Sequence, residues 1–349
     1  MSPAEVPAAV DWDFAATLGG WLARPAPPMT DYTRRQAVGE LRDCARAAEP
    51  LVRGVTGLVT DAAQPVPEAQ VVDRKQWISA AAASLPVMLA GSGQSVGSLG
   101  GRMAAAQTGA VLAFVASSIL GQYDPFRAQE NGGEGTLLLV YPNIVAVERQ
   151  LRVPPADFRL WVCLHEVTHR VQFSANPWLT GYLSQALTVL TDGDSADFTQ
   201  VVGRLAGYLT GRRDSDGVRQ SGILGLVRAV QSEEQRSALD RLLTLGTLLE
   251  GHADHVMDAV GPLAVPSVAV IRERFEQRRQ RSQPPLQRLV RALLGLDVKL
   301  SQYTRGKAFV DSVVGQVGME RFNTVWSGPQ TLPLPAEIEE PRAWIDRVL

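Results

Sequence analysis

The sequence predicts a mainly α-helical (α+β) fold with one small sheet, and three observations carry that expectation. Most of the chain shows apolar residues at helical spacing, as in RRQAVGELRDCARAAEPLVRGVTGLV near the N-terminus. Only one segment, TLLLVY at 136–141, is a short apolar run of strand character, ended by Pro142. The segment from Pro155 to Asn176-Pro177 runs without a breaker and reads as one long helix.

The 349 residues suffice for one large domain or two modest ones, with 45% apolar and 20% charged content typical of a globular chain. The formal charge of −2 is spread rather than blocked, which argues against a nucleic-acid partner bound through a basic face. Cys44 and Cys163 are too few for a disulfide framework and suit a reducing cytoplasm. The acidic N-terminus, MSPAEVPAAVDWDF, has no basic and apolar leader regions, so no signal peptide is expected.

The first ~95 residues read as helices broken by APPM and QPVPE. GSGQSVGSLGG (91–101) is the best boundary, dividing an N-terminal helical region (1–96) from a catalytic part (97–349). Met103 to Gly121 carries no charge, but its Ala, Gly, Ser, Gln107 and Thr108 content favours a buried core helix over a membrane span. After GQYDPF and the loop NGGEG comes the strand at 136–141. Pro154 and Pro155 then suit a first helical turn, where Asp157 adds a favourable negative charge. Residues 179–260 read as further helices around a polar loop, GRRDSDGVRQSG (211–222), and Gly261-Pro262 closes the last of them. RERFEQRRQRSQPP reads as a solvated helix face.

The chemistry is concentrated in the histidines. All four lie in two segments: His165 and His169 in LHEVTHR, His252 and His255 in LLEGHADHVMD. On a helix, residues four apart project from one face, so His165 and His169 can offer two imidazole nitrogens to one ion. Glu166 flanks that ion and is placed to take a proton from a metal-bound water. A catalytic zinc takes three protein ligands and keeps one position open. No histidine follows within HRVQFSANPW, so the third ligand must come from far along the chain, with Leu249–Asp258 the obvious source.

Within that segment Glu250 and Asp254 lie about 40° apart around a helix axis. Glu250 can ligate while Asp254 accepts the N–H of a ligand histidine. His252 or His255 can instead replace Glu250, and His255 can line the cleft as an oxyanion donor. Gly251 would let two helices approach closely around the ion. Cys163, two residues before His165, reads as a buried small residue.

HEVTH followed about 80 residues later by EGHAD resembles the gluzincin group of zincins. Along VDWDFA, VVDRKQW, GQYDPF, VYPNIVAVE, DFRLWVCLHEVTHRVQF, EGHADHVMD and QYTRGKAFV the chain resembles a bacterial zincin-like family. Its members are labelled zinc-dependent metalloprotease or deazaflavin-coenzyme-biosynthesis-associated hydrolase. The resemblance implies a zincin-like catalytic domain with a small sheet and a long active-site helix. It implies zinc held by His165, His169 and Glu250, with Glu166 as base and Asp254 as the partner of a ligand. QYTRGKAFV resembles the segment that brings a tyrosine, here Tyr303, to the oxyanion. TLLLVY resembles the edge strand along which zincins bind extended peptides.

The expected function is thus a cytoplasmic zinc hydrolase acting on a peptide or protein, with no membrane span. Two other readings stand beside it: an inactive zincin-derived scaffold with a structural metal, and an iron enzyme with two histidines and a carboxylate. The iron reading leaves Glu166 without a task.

Overall fold

The apolar run at 136–141 is buried from Thr136 to Val140 because those residues lie in the middle of a sheet. Tyr141, expected to end the strand, is half-buried and opens the next helix. A computed structural model describes residues 10–59, 66–88, 99–129, 135–191, 233–281 and 301–349. In it β1 (Gln70–Val72), β2 (Gly121–Asp124) and β3 (Thr136–Val140) form one sheet in the order β1-β3-β2. β1 pairs parallel to β3, with Val71 opposite Leu139, and β2 pairs antiparallel, with Gln122 opposite Leu138. Leu137 and Leu139 face one apolar cluster, Leu138 and Val140 another. A strand covered on both faces has no polar side, which is why the run shows no alternation.

This overturns one expectation. β3 is paired on both sides and is not an edge strand, so it has no free backbone groups for strand addition; β1 and β2 form the edges. The three residues of β1 were not anticipated in a region read as helical.

The helices follow local signals. α1 (Trp12–Leu22) starts where Asp11 accepts the N–H of Phe14 at 2.9 Å. α2 (Asp31–Thr56) is capped by Thr30 and ends at Gly57 in the left-handed conformation, φ 64°. α3 (Arg74–Met88) and α4 (Leu99–Ala116) pack with α1 beside the sheet. α4 covers most of the uncharged stretch at 103–121 and ends at Ala116, where the hydroxyls of Ser117 and Ser118 bond back to the carbonyls of Phe114 and Val115. It buries Ala104, Ala105, Leu112, Ala113 and Ala116. Among the described residues no helix is long and apolar enough to cross a membrane.

α5 (Tyr141–Leu151) begins directly at the end of β3 with Pro142 in its first turn. α6 (Pro155–Ala175) is the long helix expected there, and it runs through the main core, burying Phe158, Trp161, Val162, Cys163, Leu164, Val167 and Val171. Asp157 serves in its first turn as expected. Its carboxylate also accepts the N–H and hydroxyl of Ser267, at 2.8 and 2.6 Å. α7 (Trp178–Thr191) follows after Asn176-Pro177.

α8 (Glu233–Val260) carries the second histidine pair, and α9 (Val268–Arg281), α10 (Ser301–Phe322) and α11 (Pro341–Val348) complete the described helices. α2 lies along α6, and α8 packs on α6 and α10. The loops at 131–134 and 211–222, and residues 91–98 of the Gly/Ser-rich join, lie outside the described residues.

Two buried ion pairs fasten α6 to its neighbours. The Arg159 guanidinium grips Glu148 of α5 at 2.7 and 2.9 Å and also meets Glu40 of α2. Arg170, directly after His169, donates to Glu49 of α2 and to the carbonyl of Pro67 at 3.1 Å.

Candidate metal centre

α6 and α8 bring the two chemistry-bearing segments together. The Nε2 atoms of His165 and His169 lie 3.2 Å apart. The Glu250 carboxylate approaches both, at 3.3 Å from His165 Nε2 and 3.5 Å from His169 Nε2. A tetrahedral ion with bonds of about 2.0–2.1 Å separates its donors by about 3.3–3.4 Å. The three side chains form a triangle of donors in which the histidine nitrogens, 3.2 Å apart, are close to that spacing, while Glu250 reaches them through different oxygens, Oε2 toward His165 and Oε1 toward His169. Among the described residues, His165, His169 and Glu250 form the one group of histidine, cysteine or carboxylate donors able to hold a metal ion.

The electrostatics at this point favour positive charge. Burial works against a charged His165, yet the hydrogen bond and charge of Glu250 outweigh it and push the imidazole up to about 9. His169 is raised in the same way against its burial. Burial would lift the Glu250 carboxyl, but the two histidines overcome it and hold the group well below the usual carboxylate range.

Glu166 lies beside the triangle and outside it. It is buried, and that burial raises its carboxyl above the usual range, with His165 and His169 opposing and Glu250 reinforcing the rise. A raised carboxylate suits a group that must take up and return a proton near neutrality. The first residue of β2 makes room for it. A Cβ at Gly121 would stand 2.7 Å from Glu166 Cδ, so no other residue fits there without moving the carboxylate.

Gly251 does allow a close helix approach, but to α10, which carries none of the three donors, rather than between the two helices that hold them. A Cβ there would lie 2.2 Å from the Gly306 carbonyl carbon on α10, and one at Gly306 would lie 2.2 Å from the Thr247 carbonyl oxygen. Two glycines thus let α8 and α10 touch backbone to backbone one residue from Glu250. Gly251→Ala is expected to destabilise the fold by at least about 1–3 kcal/mol, because backbone must move, and to lower metal content. Gly246→Ala on the same helix meets nothing within 4 Å. There the gain in helix propensity is expected to stabilise by about 0.5–1 kcal/mol. Equal tolerance of the two changes in denaturant unfolding would contradict this packing.

The remaining candidates fall in different places. Asp254, one turn beyond Glu250, adds a favourable charge for His165, and its carboxylate lies 3.5 Å from Arg272. His255 Nδ1 pairs with Asp311 Oδ1 at 2.7 Å. His252 is fully buried, stacked on Phe322 and beside Trp326, and burial, with help from His255 and His169, pulls it down to about 3. Tyr303 belongs to α10, at a position whose side chain lies outside the described residues. Cys163 is buried, and its thiol points to the Leu41 carbonyl at 3.7 Å.

Two neighbours of the site were not singled out beforehand. Gly121 carried no signal beyond its place at the head of GQYDPF. Gln172, three residues after His169 and thus on the same side of α6, contacts His169 Nδ1 through Oε1 at 2.9 Å.

The zincin-like metallopeptidase family model matches residues 10–345. The chain belongs to this family. A solved structure described as that of a candidate hydrolase with a novel fold, from Chloroflexus aurantiacus, is 31% identical. It aligns over 97% of this chain and 98% of its own, with a TM-score of 0.66. No curated protein matches the sequence. Membership in this family implies a metal and a hydrolytic activity, and the His165–His169–Glu250 group is where this member can hold the ion.

Proposed function

We propose that this family member is a zinc-dependent peptidase in which His165, His169 and Glu250 hold the metal and Glu166 is the general acid–base. The observation that carries the reading is the convergence of His165, His169 and Glu250, with donor atoms within 4.8 Å of one another, beside the buried carboxylate of Glu166. Zinc, when bound, acidifies a water and polarises the carbonyl under attack. Two histidines and one carboxylate suit zinc and leave one tetrahedral position for water or substrate.

The chain's own residues divide the work. Glu166 accepts the proton that the attacking water gives up and delivers it to the departing amine nitrogen. Its burial strengthens that exchange by excluding competing water. Asp254 adds negative charge that supports His165 as a donor. Tyr303 on α10 is the candidate donor to the developing oxyanion, and His255, held through Nδ1 by Asp311, is the second.

The test is an unbiased peptide library offered to the purified protein, the chelated protein and the chelated protein resupplied with zinc. Cleavage is expected to vanish on chelation and to return with zinc. No cleavage in any sample, together with a lower melting temperature for His165→Ala, would replace this reading with that of a scaffold holding a structural metal.

A further inference from the structure

The hydrogen bonds behind His169 are directional enough to assign protons. Gln172 is fully buried between α6 and α8. One end of its amide contacts both the Leu249 carbonyl, at 3.0 Å, and His252 Nδ1, at 3.0 Å. A backbone carbonyl can only accept, so the end facing it must be the NH₂ group, and the amide cannot be turned over. Both protons of that NH₂ are then committed. His252 Nδ1 must accept one of them, which makes His252 the neutral Nε2–H tautomer. The Oε1 end, which can only accept, faces His169 Nδ1 at 2.9 Å. His169 therefore carries a proton on Nδ1, which leaves Nε2, the nitrogen facing His165 and Glu250, as the one available to a metal.

We infer that Gln172 is a positioning residue of the metal centre, with His252 and the Leu249 carbonyl as the anchors that fix its amide so that His169 is held in the metal-binding tautomer. The inference rests on the metal reading above and extends it to residues assigned no role there. It gives His252 a reason to sit in an apolar pocket against Phe322 and Trp326. Among the described residues its Nε2 has no hydrogen-bond partner, and that cost is tolerated where Nδ1 is needed as an acceptor. It also ties the two metal-bearing helices together. Gln172 on α6 holds Leu249 and His252 of α8, the residues on either side of Glu250 and Gly251. One side chain thus sets the tautomer of one donor and the placement of another.

The chain's four histidines make the protonation pattern directly readable. Nitrogen-15 spectra of the histidine-labelled, zinc-loaded wild type are expected to show His252 as Nε2–H and His169 protonated on Nδ1 alone. This measurement needs no variant and no activity. Gln172→Leu, which removes the acceptor, is expected to weaken zinc binding about 10–100-fold, the usual loss when an outer partner of a ligand histidine is removed. Gln172→Glu keeps an acceptor for His169 Nδ1–H and offers no donor to His252. It is expected to bind zinc within about tenfold of wild type, while the His252 proton moves to Nδ1. A residue needed only for packing would produce no such transfer. Two results would overturn the inference: a wild-type His252 carrying its proton on Nδ1, or zinc affinity in Gln172→Leu within about threefold of wild type while Glu250→Ala loses the metal. The latter leaves the metal reading standing. A wild type that binds no zinc would remove that reading, and this inference with it.

Discussion

Glu166→Gln is expected to lower peptide hydrolysis by about two to four orders of magnitude while zinc content stays that of the wild type. The substitution changes little in shape, so the buried slot against Gly121 remains filled. What it removes is the ability to take a proton. Glu166 is not among the three donors, so the metal keeps its full set of protein ligands in the variant. Simultaneous measurement of bound zinc and of turnover separates the two roles. Activity within about threefold of wild type would show that another group serves as base. Loss of zinc together with activity would show that Glu166 acts as a metal donor.

The second large effect concerns stability. Glu148→Ala is expected to destabilise the protein by about 3–5 kcal/mol, because it leaves the buried Arg159 guanidinium without its two-pronged partner. Both side chains are nearly inaccessible, at 5% and 7% exposure, so water cannot replace the lost carboxylate. Glu40 still meets Arg159 but is itself 39% exposed and compensates weakly. The exposed pair of Arg342 and Asp346, at 74% and 63%, is the internal comparison. Asp346→Ala is expected to change stability by no more than about 0.5 kcal/mol. Chemical denaturation of both variants decides the matter. A loss under about 1 kcal/mol for Glu148→Ala would show that the buried pair does not secure the start of α6.

What the sequence revealed follows from the range of the interactions involved. α6 was legible because an unbroken helical pattern, a proline start and a stop at Asn176-Pro177 are all local signals. Gly251 was legible because a mid-helix glycine beside a carboxylate invites a close helix contact, and that contact is made with Gly306. The pairing of β1 was not legible. Three residues carry no periodicity, and their partner strand lies more than sixty positions away. The place of β3 in the sheet is not legible either: the resemblance to zincins implies an edge strand, and an apolar run does not disclose which neighbours flank it.

The site divides along the same line. The histidines of HEVTH share one face by helical geometry alone, and Glu250 stood out because it lies beside the other two histidines. The separate fates of His252 and His255 depend on long-range partners. His252 meets Gln172 and the Phe322–Trp326 wall, whereas His255 meets Asp311. Gln172 carries no sequence signal beyond a spacing from His169 that puts it on the same side of α6. Its other contacts, Leu249 and His252, are 77 and 80 residues away.

The central claim is that three side chains from two distant segments hold one metal ion. Metal analysis of the wild type beside Glu250→Ala tests it most directly. The geometry predicts about one zinc per chain in the wild type and its loss in Glu250→Ala, with the helical signal of the fold retained. Zinc at the wild-type level in Glu250→Ala would contradict the claim and exclude Glu250 from the site.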